Sequence, residues 1–163
     1  MANKIIIYYS LEGSTRLMAE TMAETIDADI LELKPLKEIN PNGFLKYFWG
    51  GRQVVFKEKP KLEIFDKNPL DYDIVIIGTP VWAFTYAPPL RSFFKRVKLR
   101  DKKIGIFCCH EGNPGKTLEN LIKELAGNTI VGQTDFLNVK KDQEKNIEKA
   151  KDWALKIKQQ SFC

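Results

Sequence analysis

Ser10, Ser14 and Thr15, with Glu12 and Gly13 between them, stand directly after an apolar and aromatic run, Ile5 to Tyr9, and directly before a helical pattern. Oxygen-bearing side chains grouped at the front of a helix suit one kind of chemistry, the holding of an anion. The first amides of a helix have no partner inside it, and the helix dipole places roughly half a positive charge at the same point. Phosphate is the anion such a turn holds best. The same residue types also serve as a plain N-cap, a side-chain oxygen satisfying a helix amide. The phosphate reading gains weight only if other parts of the chain converge on this turn.

Two further stretches do. Thr79 to Pro89 reads TPVWAFTYAPP and offers Trp82, Phe84 and Tyr86 between prolines. Cys109 to Lys116 reads CHEGNPGK and offers glycines, polar backbone and the chain's single histidine, His110. An anion turn, a flat aromatic slot and a polar third wall together describe a site for a phosphorylated planar heterocycle.

The elements that must position these stretches follow from the hydrophobic pattern. Residues 5–9, 73–78 and 103–109 are short apolar runs rich in β-branched residues, the pattern of strands buried on both faces. Residues 29–33 and 129–139 are shorter or more polar, as edge strands are. Helical spacing joins Met18, Met22 and Ile26, then Leu90, Phe93, Phe94 and Val97 behind two prolines, then Leu118, Leu121, Ile122 and Leu125. Ile147, Ala150, Ala154 and Ile157 stripe the closing helix, with Trp153 beside them. Phe44, Phe48 and Val55 suggest a further helix, bent at Gly50-Gly51, whose aromatics pack on the sheet or border a cleft. Strand and helix alternate five times, which predicts an α/β doubly wound, five-stranded parallel sheet in the order 2-1-3-4-5. In that order ligands bind beyond the carboxyl ends of the strands, at the switch between the first and third. All three informative loops fall there, and flavin mononucleotide (FMN) fits their combination best.

These residues resemble the flavodoxin family. SLEGSTR after a buried strand is similar to the flavodoxin phosphate loop, with Glu12 in place of its middle threonine. GTPVWAFTYAPPLRSFF resembles the second flavin loop, and CCHEGNPGK occupies the place of the third. The likeness spans the whole chain, as one domain over residues 1–163 of the short-chain form. It implies that Ser10, Gly13, Ser14 and Thr15 hold the phosphate with help from the Glu12 amide. Trp82 would stack on the isoalloxazine, with Phe84 or Tyr86 as second choice. Backbone at Pro80, Val81 and Ala83, and at Cys109, His110, Glu111 and Gly112, would edge the ring. Arg16 would reach the phosphate or stand solvated.

The implied function is electron transfer between redox partner proteins. The alternative is an FMN-dependent NAD(P)H oxidoreductase acting on quinones, with residues 44–56 bordering the nicotinamide. Flavodoxins often place a glycine near the flavin N5, and loop 79–87 has none, so strong stabilisation of the half-reduced flavin is not expected. They are also typically acidic, whereas this chain carries a formal net charge of +5.

Composition narrows the classes further. Three cysteines, two of them adjacent, suit neither a disulfide framework nor a CxxC metal site, which points to a reducing, cytoplasmic setting. No apolar run approaches the ~18 residues of a membrane span, and the apolar run at the N-terminus is too short for a signal-peptide core. The basic stretch from Lys140 to Lys158 reads as a solvated helix face or an attraction for acidic partners, and no aromatic-basic platform argues for nucleic acid. HEGNPGKT at 110–117 nearly matches a phosphate-binding P-loop, but His110 stands where the first glycine belongs. His110 itself either donates a proton near the ring or supplies only backbone and shape.

Overall fold

Ile5 and Ile7 pack on one face of the sheet and Ile6 and Tyr8 on the other, so the first strand has no side to give to water. The computed structural model of the protein describes residues 2–37, 59–160 and 162. Around this strand, β1 (Lys4–Tyr8), lie β2 (Asp29–Glu32) and β3 (Ile74–Trp82), both parallel to it. A short β4 (Thr85–Tyr86) folds back antiparallel on the end of β3. β5 (Lys103–His110) and β6 (Thr129–Leu137) complete the parallel sheet on the other side. The order is β2-β1-β3-β5-β6 with β4 off the path. Counted without β4, this is the expected doubly wound order.

Four described helices connect the strands: α1 (Ser14–Ile26), α2 (Pro88–Arg96), α3 (Thr117–Glu124) and α4 (Gln143–Gln160). Met18, Met22 and Ile26 of α1 share one core with Ala150, Ala154 and Ile157 of α4. Leu90, Phe93 and Phe94 of α2 share the other with Leu121 of α3. The sheet is therefore covered on both faces, as its apolar strands require. Ile122, expected on the buried stripe, is instead partly exposed, while Asn146 enters the core and donates to the Leu137 and Asp142 carbonyls. The helix expected around Phe44 to Val55 lies outside the described residues.

One glycine decides how the layers meet. A Cβ on Gly78 would lie 2.2 Å from the Phe107 ring, so the bare backbone of β3 is what lets that aromatic cross from β5. The third strand differs from expectation in length. It runs on through Thr79, Pro80 and Val81 to Trp82, so the aromatic loop is a β-hairpin rather than irregular chain.

Candidate functional site

Beyond the carboxyl ends of β1, β3, β5 and β6 opens a cavity of about 510 Å³. Ser10, Leu11, Glu12, Ser14 and Thr15 form its first wall, Pro80 to Phe84 its second and Cys109 to Asn113 its third. Those are the three loops anticipated from the sequence, brought to one place. A fourth wall, Asn138 to Lys141, was not. Its signal was available in the topology, since the loop after the last parallel strand must open at the same end as the others.

The first wall is built at the front of α1. α1 begins at Ser14, and its N-cap is Gly13, at φ 98° and ψ −11°, with no side-chain cap. No acidic residue occupies the first turn, and Glu12 stands just before the N-cap. Ser10 Oγ instead accepts from the Gly13 amide at 3.2 Å, closing the turn on itself. Ser10 and Thr15 are nearly buried, and both border the cavity. Gly13 does not border it; its contribution is the left-handed dihedral that swings the chain into the helix.

The second wall is aromatic. The Trp82 ring packs edge-on against buried Tyr9, centroids 5.5 Å apart and planes at 85°. Phe84 is 64% exposed at the mouth. Ala83 and Phe84 both have positive φ, 47° and 63°, in a tight turn that usually takes Asn-Gly. Clamps on the flanking chain hold it: the Lys116 amide donates to the Phe84 carbonyl at 2.9 Å, and Asn120 Nδ2 to Thr85 Oγ1 at 2.8 Å. Tyr86, a second choice for the aromatic wall, does not reach the cavity. It is buried against Phe94, its hydroxyl donating to Glu124 at 2.9 Å, because the hairpin register turns it inward.

Compared with known proteins, a family model described as Flavodoxin matches residues 3–156. The chain belongs to the flavodoxin family. Solved structures similar to it include a flavoprotein from Lactobacillus acidophilus NCFM in complex with FMN, with a TM-score of 0.71 and 21% identity over 88% of this chain and 98% of that one. A putative flavoprotein from Bacteroides eggerthii DSM 20697 gives a TM-score of 0.74 and 19% identity over 95% and 99%. Oxidised flavodoxin 1 from Bacillus cereus gives 0.61 and 18% over 97% and 98%. No curated protein matches the chain.

Within this flavodoxin-family fold, Arg16 lies outside the cavity lining and stands at the surface, its side chain 45% exposed. Its guanidinium pairs with Glu32 at the end of β2, and both flank the Tyr8 hydroxyl, whose pKa burial raises to about 12. The third wall is polar but internally bonded. Cys109 borders the cavity while Cys108 is wholly buried, and burial pushes both thiols up to about 12. A hydrogen bond from Thr15 pulls Cys109 slightly the other way. The apparent P-loop is engaged elsewhere: the Gly115 amide donates to Asn113 Oδ1 at 2.8 Å, the Lys116 amide to Phe84, and Thr117 Oγ1 to the Pro114 carbonyl at 2.6 Å. His110 has its ring 5% exposed, Nε2 lying 2.6 Å from Asp135 Oδ2. Among the described residues, no cluster of metal ligands occurs and no helix is long and apolar enough to cross a membrane.

Proposed function

We propose that this protein binds FMN in the four-walled cavity and carries electrons between redox partner proteins. The observation that carries the reading is the uncapped front of α1 facing the same cavity as Trp82, at the switch between β1 and β3. Ser10, Ser14 and Thr15 would hold the phosphate with the amides of Glu12, Ser14 and Thr15, and Gly13, its own amide given to Ser10, would shape their turn. Trp82 would cover the ring, with Pro80, Val81 and Ala83 along one edge and Cys109, His110, Glu111 and Gly112 along another. Bound FMN supplies the electron chemistry; the protein supplies orientation, exclusion of water and field.

One observation favours the second reading, an NAD(P)H-dependent reductase of quinones. Phe84 is held outward at the mouth in a strained turn, where a second planar molecule would meet it. Stopped-flow mixing of the FMN-loaded protein with NADPH separates the two. A carrier keeps its flavin absorbance until a partner reductase is added, whereas rapid bleaching by NADPH alone assigns the enzyme.

A further inference from the structure

The cavity's third wall has a feature that flavin binding by itself does not require. His110 ends β5, and its imidazole is turned away from solvent between two partners. The Gly112 amide donates to Nδ1 at 3.3 Å, and Nε2 stands 2.6 Å from Asp135 Oδ2 on β6. A donor on Nδ1 needs that nitrogen's lone pair, so the ring proton sits on Nε2, facing a carboxylate that only accepts. The two bonds thus agree on one tautomer. The Asp135 main-chain carbonyl accepts from the Lys149 ammonium. The His110 carbonyl also accepts from the Asn138 amide at 2.9 Å, so one residue ties the third wall to the fourth.

Packing does not do this work. Glu111 and Gly112 are exposed, and a Cβ on Gly112 would meet nothing within 4 Å. What fixes the Gly112 amide is the imidazole beneath it. We infer that His110 is a positioning residue whose Nδ1 aims the 110–112 backbone at the edge of the bound ring, with Asp135 selecting the tautomer. This rests on the FMN reading above.

Two substitutions divide the two bonds. In His110→Asn the side-chain carbonyl oxygen sits close to where Nδ1 was and still accepts from Gly112, but Asp135 is out of reach. In His110→Gln the side-chain amide reaches Asp135 instead, and the Gly112 amide loses its acceptor. The full chain is titrated with FMN and with riboflavin, following flavin fluorescence. Because the bond acts at the ring edge, His110→Gln is expected to weaken both ligands alike by about tenfold, the size of one hydrogen bond. His110→Asn should bind both several-fold more tightly than His110→Gln. Gly112→Pro, which deletes the donor at an exposed position with His110 intact, should reproduce the His110→Gln loss, and unchanged affinity for both flavins in that variant would overturn the inference even if a histidine variant fails to fold. Equal affinities in the Asn and Gln variants, or a loss confined to FMN, would overturn the inference. A wild-type chain that binds neither flavin would defeat the FMN reading instead.

Discussion

Gly13 has a left-handed dihedral at a place where nothing crowds a side chain, since a Cβ there would meet no atom within 4 Å. Gly13→Ala therefore isolates backbone strain, and a loss of about 1–2 kcal/mol is expected in denaturant melts. An unchanged midpoint would mean the turn is not needed in this form. Thr15 is the complementary test. Thr15→Val keeps the buried volume and deletes one hydroxyl, so FMN affinity should fall by roughly tenfold while riboflavin affinity is unchanged. Equal losses for both ligands would move Thr15 out of the phosphate site. The cysteines predict a pH effect with a definite sign. Both thiols rise from an ordinary 9.0 to about 12 on folding, so between those values the folded chain keeps protons that the unfolded chain has lost. Stability present below pH 9 should decline as pH rises towards 12, and urea midpoints followed from pH 8 to 11 should fall more slowly in Cys108→Ala/Cys109→Ala. At this scale the position of the hydroxyls was legible, since a strand running into a helix brings Ser10, Ser14 and Thr15 to the cavity, whereas Gly13 shapes the turn without bordering it. The partner of Arg16 was not: Glu32 is distant in sequence and becomes a neighbour only when β2 pairs with β1.

The strands and helices were legible wherever period and burial agree, as in β1, whose residues alternate between two cores, and in α2, with its prolines at the start. The β3–β4 hairpin was not. Its turn uses Ala83 and Phe84 where sequence reasoning looks for Asn or Gly, so nothing local marked it. The turn is maintained by what it packs on. Gly115, at φ 56°, lies against it, and a Cβ there would stand 2.5 Å from Phe84 Cβ and 2.6 Å from its carbonyl oxygen. Gly115→Ala should push the hairpin away from α3 and cost about 1–3 kcal/mol, read as a lowered Tm with weaker FMN binding. A variant with native stability and affinity would show that the hairpin does not depend on this contact. The loop from Asn138 to Lys141 was missed for another reason: its residues have no family motif, and only the common polarity of the parallel strands brings them to the cavity.

For the molecule as a whole, the strand order followed from which apolar runs were continuous and which were broken. Partner identity did not follow, because partners are met by surface charge rather than by the core. The formal net charge of +5 is the one global quantity that bears on redox behaviour. A positive protein field favours the anionic reduced flavin, within a Debye length of about 10 Å at 0.1 M salt. The midpoint potential of the bound flavin should be less negative than in a flavodoxin of net negative charge. Spectroelectrochemical titration giving an equally low value would contradict that. All of these outcomes presuppose a flavin in the cavity, which one titration tests directly. Full-length protein stripped of ligand and titrated with FMN should quench flavin fluorescence to a sharp endpoint at one equivalent and turn yellow. A chain that remains colourless and leaves the fluorescence of added FMN unchanged would contradict the account.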